Sequence, residues 1–351
     1  MIGVGVIGCG YWGPNLVRNF ARNERSQIVG VCDTRYERAA RVGAEYRVPL
    51  ITDQPAKLLA ASEIQLIVIA TPSFTHFELA REALRAGKHL LVMKPLATRV
   101  DHAEELVDLA AKQGLVLGVD HTFIYTGAVR RIKKLIDAGE LGDIFYIDSV
   151  RINLGLFQSD VNVVWDLAPH DVSIIDYLLS GQEPRDVSAI GAKHVGSPTE
   201  NIAYLTMRYN DHLLAHVHVN WLAPAKVRRT IVGGSRRMVI YDDVEPSEKI
   251  KIYDKGVTIS QRNGDADAAY QMLVQYRSGD MSAPNLDSHE ALAVEANHIL
   301  DCITSGQQPI SDGAAGVRVV RVLEMAQQSI QRDGMPLKLA PRSTAAPRGQ
   351  A

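Results

Sequence analysis

Three groups of residues in this chain carry side chains and spacings suited to chemistry. Lys94-Pro95 closes an apolar run. Asp166 and His170 stand four residues apart at the start of a later apolar stretch, and Gly8-Cys9-Gly10-Tyr11-Trp12-Gly13 lies near the start of the chain. A glycine run of this form predicts a bound dinucleotide when it follows a strand and opens a helix. A cation, a carboxylate and an imidazole beside a nicotinamide form a proton relay. The chemistry expected is hydride transfer between an alcohol and a ketone.

The glycine run has the required context. Gly8 permits a tight turn, Gly10 lets the backbone approach a pyrophosphate, and Gly13 lets the helix pack against the strand. Tyr11 and Trp12 sit inside the loop and are read as cofactor contacts. Pro14 suits a first helical turn. Asp33 ends the next apolar strand about 20 residues after Gly13, the spacing of a carboxylate on a ribose 2′-hydroxyl. That carboxylate repels a 2′-phosphate, so NAD is expected over NADP, although Arg35 and Arg38 soften the repulsion. Thr71-Pro72 follows another strand and falls at the same crevice. His76 is read either as a cofactor contact or as a helix-start residue beside the caps Ser73 or Thr75.

Lys94 sits just past the strand 89–93, and Pro95 restricts it to extended geometry. Its ammonium can hydrogen-bond the reacting oxygen and stabilise alkoxide character. Asp166 and His170 share one helix face, so the carboxylate is expected to orient the imidazole and favour its protonated form while the imidazole takes the hydroxyl proton. The plainer alternative makes Asp166 a helix N-cap with a packed histidine, Pro169 filling the first turn.

The elements that must position these groups follow from patterning. Over residues 1–120, short continuous apolar runs alternate with helical patterns, which predicts a Rossmann-type doubly wound parallel sheet. From 121 to 340 come a helix over 128–138, a strand over 144–152, a helix over 165–179, a run of β-rich stretches between 187 and 253, and two late helices. This predicts an α+β domain with a large, mostly antiparallel, open-faced sheet. The tail 341–351 reads as disordered. Within 213–221, Ala215, Val217, Val219 and Trp221 share one face; His216, His218 and Asn220 share the other. Alternating histidines can hold a metal, but with no third ligand nearby the plain sheet face is preferred and no metal is expected.

The bulk numbers narrow the partners. The chain has 351 residues, 46% hydrophobic content and a formal charge of −2. That is enough core for two domains, and it gives no basic patch for nucleic acid. No run is long enough to cross a bilayer, and no signal peptide precedes the first strand. Three scattered cysteines read as reduced thiols in the cytoplasm.

Together the three groups resemble the Gfo/Idh/MocA oxidoreductase family over residues 1 to about 340. GVIGCGYWGPNLVRN resembles its N-terminal fingerprint, VMKPLA its Glu-Lys-Pro motif and WDLAPHD its Asp-x-x-x-His signature. Segments 220–243 and 310–330 resemble its sheet domain and C-terminal part. The resemblance implies Lys94, Asp166 and His170 as catalytic positions. It also implies a ring carbon of a sugar, nucleotide-sugar or cyclitol as the reacting centre, and a homodimer or homotetramer paired through the C-terminal sheet. The wording is most like the nucleotide-sugar branch. Two departures stand out: Met93 replaces the motif's Glu, and Tyr125-Thr126-Gly127 replaces Tyr-Asn-Pro.

Substrate contacts are expected from segments entering the cleft. Arg151, Asn153 and Asn162 are placed on hydroxyls, Trp165 on a ring, and Phe123 and Tyr125 along the wall. Two rivals to a freely exchanging dehydrogenase are a non-catalytic NAD-binding or regulatory protein and a redox-assisted glycoside-modifying enzyme that recycles its NAD.

Overall fold

The computed structural model describes residues 1–155, 161–254 and 278–339, together with the backbone of two further strands, 256–260 and 273–277. The expected disordered tail at 341–351 lies outside the described residues.

The first part of the chain alternates β1 (Ile2–Ile7), α1 (Gly13–Ala21), β2 (Ser26–Cys32), α2 (Tyr36–Tyr46), β3 (Leu50–Thr52), α3 (Pro55–Ala60), β4 (Leu66–Ile69), α4 (His76–Arg85), β5 (His89–Met93), α5 (Val100–Gln113) and β6 (Leu117–Asp120). The strands form one parallel sheet in the order β3-β2-β1-β4-β5-β6. Continuous apolar strands suit this arrangement because helices cover both faces. The order reverses between β1 and β4, and a ligand crevice opens at the carboxyl ends on either side of such a point. Gly8, Asp33, Thr71 and Lys94 each follow one of these strand ends directly or within two residues. Sequence patterning passed over β3 and α3, which span only three and six residues; neither is long enough to show a period.

The second part holds α6 (Gly127–Asp137), β7 (Ile144–Leu154), α7 (Val163–Leu178), β8 (Asp186–Ala192), β9 (Ile202–Arg208), β10 (Leu214–Asn220), β11 (Leu222–Gly234), β12 (Met238–Asp242), β13 (Ile250–Tyr253), β14 (Gly256–Ser260), β15 (Leu273–Arg277), β16 (Met281–Ser282), α8 (Ala291–Ser305), α9 (Gly313–Ile330) and β17 (Leu337–Lys338). A nine-stranded sheet runs β16-β13-β12-β11-β7-β10-β9-β8-β17, antiparallel except for the β7–β10 pair. The strand expected at 228–232 is longer and begins at Leu222, with an interruption between Leu222 and Val227. Pro224 lies in that gap, where it has no N–H to give the ladder.

On β10, Ala215, Val217 and Val219 are fully buried, while His216, His218 and Asn220 stay half-exposed on the other face. The buried row packs with residues of α7 and α9 in one core. Two late helices tie the parts together. α8 sends Leu292, Ala296, Ile299 and Leu300 into the core of β1 and α1. α9 sends Val317 and Val320 to the parallel sheet, and Val319, Val322 and Leu323 to the mixed one. Each such Val, Leu or Ile side chain contributes roughly 1.5–3 kcal/mol by leaving water. Among the described residues, no helix is long and apolar enough to cross a membrane.

Candidate active site

The glycine loop is shaped by contacts that leave no room for a side chain. Gly8 has φ +102°, and a Cβ there would lie 2.4 Å from the Ala70 carbonyl oxygen. A Cβ on Gly13 would lie 2.0 Å from the Gly8 carbonyl oxygen. Gly10 is different: a Cβ there would meet nothing nearer than Arg38 Nη1 at 3.9 Å, so the backbone is open to an approaching ligand. No side chain caps α1, whose first turn begins at Trp12 and Pro14. Pro14 has no N–H, and Asn15 and Leu16 donate to the Trp12 carbonyl, so what α1 offers an anion is its positive end beside the loop backbone. The open loop backbone and the uncapped helix fit a pyrophosphate, and the acceptor carboxylate of Asp33 nearby fits a ribose hydroxyl. Tyr11 is 88% exposed and meets Trp12 edge-on, at 5.7 Å between ring centroids.

Asp33 is more than the end of a strand. Its Oδ2 accepts the Cys9 N–H at 2.8 Å and its Oδ1 accepts the Arg35 N–H at 2.8 Å. The carboxylate thus clamps the glycine loop to the start of α2.

His76 is not at the crevice surface, which corrects one of its two readings. It is buried, with Nδ1 at 2.7 Å from the Pro95 carbonyl and Nε2 at 2.9 Å from the Thr71 carbonyl. The ring pins the turn after β4 to the segment after β5. Burial lowers its pKa below the usual histidine value. Thr71 places its hydroxyl 2.7 Å from that of Thr75, and Pro72 accepts the Thr75 N–H and hydroxyl.

Lys94 and the 166–170 segment meet. Lys94 Nζ donates to the Asp166 carbonyl at 2.5 Å and to Asp166 Oδ1 at 3.4 Å. Asp166 Oδ2 accepts the indole N–H of Trp221 at 3.0 Å. Asp166 is therefore engaged with Lys94 and Trp221, and not with His170, against expectation. Position i and i+4 share a helix face, but the lysine and indole compete for the carboxylate and are better placed. Burial lowers the Lys94 pKa; Asp166 opposes that through charge and hydrogen bond, and Asp120 adds to the opposition.

His170 lies against Phe123, edge to face at 5.0 Å. Its Nδ1 is buried with no hydrogen-bond partner among the described residues. Its pKa is pushed well below the usual value by burial first, then by Lys94, Arg151 and Arg228. The imidazole is neutral at pH 7, the reverse of the protonated form expected from an Asp partner. A neutral imidazole is the form that accepts a proton.

The helix carrying these residues starts earlier than expected. Asn162 is its N-cap and accepts the N–H groups of Val164 and Trp165 at 3.1 and 3.2 Å. Its amide nitrogen donates to Glu200 and Gln327. Asn162 is thus a buried cap with its polar atoms used, not a substrate contact. Asp166 is not the cap, and Pro169 lies inside the helix.

Two further expected contacts are buried. Tyr125 is buried, and its hydroxyl lies 2.8 Å from Ser311 Oγ. Arg151 is buried in an ion pair with Asp171, its Nε 2.7 Å from Oδ2, and its guanidinium covers the Phe123 ring at 4.4 Å. Phe123, flanked by Arg151 and His170, sets the ring of the latter. Asn153 and Trp165 do face the opening. A cavity of about 510 Å³ is lined by Tyr11, Trp12, Asn153, Trp165, Asp166 and Lys94, with Ser73, Met93, Pro95, Leu154, Gly155, Val161 and Trp221 completing the wall. Sequence reasoning assigned Trp221 only to a buried sheet face. The signal available was its N–H, which needs an acceptor when buried.

A parallel sheet with a glycine-loop crevice, joined to a mixed nine-stranded sheet whose α7 supplies an Asp-x-x-x-His pair, defines a dinucleotide-dependent oxidoreductase of two packed sheets. The comparisons agree. Residues 2–121 match the model described as "Oxidoreductase family, NAD-binding Rossmann fold", and residues 129–240 match the Gfo/Idh/MocA C-terminal domain. The UDP-N-acetylglucosamine 3-dehydrogenase of Acidithiobacillus ferrooxidans is 30% identical over 318 residues, covering 90% of this chain and 93% of that protein. A solved structure of that enzyme superposes with TM-score 0.79 at 28% identity, over 95% of this chain and 99% of the other. A levoglucosan dehydrogenase solved with NADH and levoglucosan has TM-score 0.81 at 18% identity, over 96% and 99% of the two chains, which is a likeness of fold. The chain belongs to the Gfo/Idh/MocA oxidoreductase family, and its N-terminal part is the family's NAD-binding domain.

Proposed function

We propose that this chain oxidises a ring-carbon hydroxyl of a sugar, nucleotide-sugar or cyclitol, or reduces the matching ketone, with Lys94 and His170 acting on the reacting oxygen. One observation carries the reading. Lys94, from the end of β5, is hydrogen-bonded to Asp166, one helical turn before His170 on α7, and Lys94 and Asp166 line a cavity also walled by Tyr11 and Trp12 of the glycine loop.

Bound NAD supplies the hydride acceptor at nicotinamide C4. Gly8, Gly10, Tyr11, Trp12 and Gly13 hold its pyrophosphate side, and Asp33 its ribose, which favours NAD over NADP. Thr71 and Pro72 border the same crevice. Lys94 donates a hydrogen bond to the hydroxyl oxygen and stabilises its developing charge. His170, kept neutral by burial first and then by the cations around it, takes the hydroxyl proton. Asp166 orients Lys94 and leaves His170 to Phe123. Asn153 and Trp165 contact the sugar ring. The substrate class rests on the relatives, among them the UDP-N-acetylglucosamine 3-dehydrogenase and a scyllo-inositol 2-dehydrogenase of Bacillus subtilis.

The division into a dinucleotide-binding part, 1–120, and a substrate part, 121–340, belongs to the same reading, with α8 returning to cover the first sheet. So does pairing of copies through the open sheet face as a homodimer or homotetramer. There Tyr204 stacks on His218 at 4.3 Å, with Ile190 and Leu214 exposed in neighbouring strands. A reducing, cytoplasmic setting fits the free, buried Cys9, Cys32 and Cys302.

The test is a screen of cyclitols, free sugars and nucleotide-sugars, read by NADH formation. Lys94→Ala and His170→Ala should each lose about 100-fold or more in turnover while NAD affinity, from fluorescence titration, stays near wild type. Unchanged turnover in either variant removes that residue from the mechanism.

A further inference from the structure

A buried polar cluster beside Lys94 has no part in the reading above. Asp120 ends β6 and is 3% exposed; Glu295 on α8 is 1% exposed. The parallel register of β5 and β6 pairs Leu90 with Leu117, Leu91 with Gly118, Val92 with Val119 and Met93 with Asp120. Paired residues of neighbouring strands project from the same face of a sheet. Met93 cannot partner a cation, and it stands where the resembled motif carries Glu. The next strand supplies a carboxylate at the adjoining register position.

Burial raises the pKa of Asp120 above the usual carboxylate value, and hydrogen bonds oppose that rise. Thr122 donates its N–H to Asp120 Oδ1 at 3.1 Å and its hydroxyl to the same oxygen at 2.5 Å. The charge of Lys94 also acts on it, against burial. For Glu295, burial first, then the charge of Asp120 and a side-chain hydrogen bond with it, push the pKa well above the carboxylate range. Of the two carboxyls, Glu295 keeps the proton and Asp120 the charge.

The charges around Lys94 come from several elements. Asp166 of α7 and Asp120 of β6 favour the ammonium; Arg151 of β7 opposes it. Lys94 in turn acts on His76, His121 and His170, which carry no compensating negative charge. Asp166 is shared with Trp221.

We propose that Asp120 is a positioning residue for Lys94, the buried counter-charge that holds the ammonium charged in place of a carboxylate at position 93, with Glu295 as its neutral acid partner. The inference rests on Lys94 being the group that polarises the reacting oxygen.

The test reads Lys94 directly. The full-length protein is labelled with acetic anhydride across a pH series, and acetylation of the Lys94 peptide is quantified by mass spectrometry. In Asp120→Asn the midpoint of Lys94 reactivity should fall by about one pH unit, as expected on losing an opposite charge in a buried setting. Adding Met93→Glu to that variant should bring the midpoint back, because the two positions adjoin. The alkaline limb of kcat/KM should move with the midpoint. An unchanged midpoint in Asp120→Asn, or a lowered one that Met93→Glu does not restore, overturns the proposal. If Asp120→Asn alone does not fold, the double variant decides. A folded protein with the wild-type midpoint supports the proposal; a lowered midpoint or failure to fold overturns it. Full turnover in Lys94→Ala would end the functional reading and leave the labelling result standing. An inactive Lys94→Ala with an unmoved Asp120→Asn midpoint would end this inference alone.

Discussion

Trp221 gives its indole N–H to Asp166 Oδ2 at 3.0 Å, joining the end of β10 to the first turns of α7 across 55 residues of sequence. The other oxygen of that carboxylate faces Lys94 at 3.4 Å. The indole thus decides where the carboxylate points. Trp221→Phe keeps most of the apolar contact and deletes the donor. Turnover should fall about tenfold, the cost of roughly 1.4 kcal/mol for one misplaced hydrogen bond, with NAD affinity unchanged. Steady-state kinetics with a fluorescence titration of NAD will check it.

His121 has both ring nitrogens buried without a partner among the described residues, and its pKa is lowered to about 3, by burial first and then by Lys94. The unfolded chain binds a proton near pH 6.5, but the folded one does not. Stability from this group is therefore present above pH 6.5 and lost as the pH falls toward 3. At pH 5 the loss amounts to about 2 kcal/mol relative to pH 7. His121→Phe should flatten the fall in Tm between pH 7 and pH 5, measured by calorimetry. Asp120 and Glu295 titrate in the opposite sense and are common to both proteins, so the difference isolates the histidine. An equally steep fall in the variant would refute this.

Arg151 and Asp171 form an ion pair with both side chains nearly excluded from water. Arg151→Ala leaves Asp171 buried without its cation and should destabilise the fold by about 3–5 kcal/mol. Had Arg151 been a substrate contact, KM would rise with little change in stability. Thermal unfolding beside KM separates the two.

Asp33 takes the Cys9 and Arg35 N–H groups. Asp33→Ala should weaken NAD binding about tenfold or more by loosening the loop and removing the ribose acceptor. NADP should lose less, because the repelled 2′-phosphate gains from Arg38. The ratio of the two dissociation constants is the measurement; a ratio unchanged from wild type would take Asp33 out of cofactor selection.

The parallel sheet was legible because its strands are short continuous apolar runs and its helices periodic. Both signals are local, and they survive without knowledge of the partner. The glycine loop was legible for a related reason: Gly8 and Gly13 are required by contacts inside a few consecutive elements. Lys94 and His170 could be singled out by type and by the strand and helix ends they occupy.

Legible from the sequence alone, therefore, were the architecture, the glycine loop and the positions of Lys94 and Asp166 at element ends beside the crevice. Who partners whom was decided only by the tertiary structure. Asp166 turned to Lys94 and Trp221 instead of His170. Arg151 gave its Nε and Nη2 to Asp171, Asn162 gave its amide to Glu200 and Gln327, and His76 became a brace between two carbonyls. The physical reason is that a hydrogen bond needs a partner within about 3 Å at the right angle. Which groups arrive there depends on how separate segments pack, and no spacing along one segment encodes it.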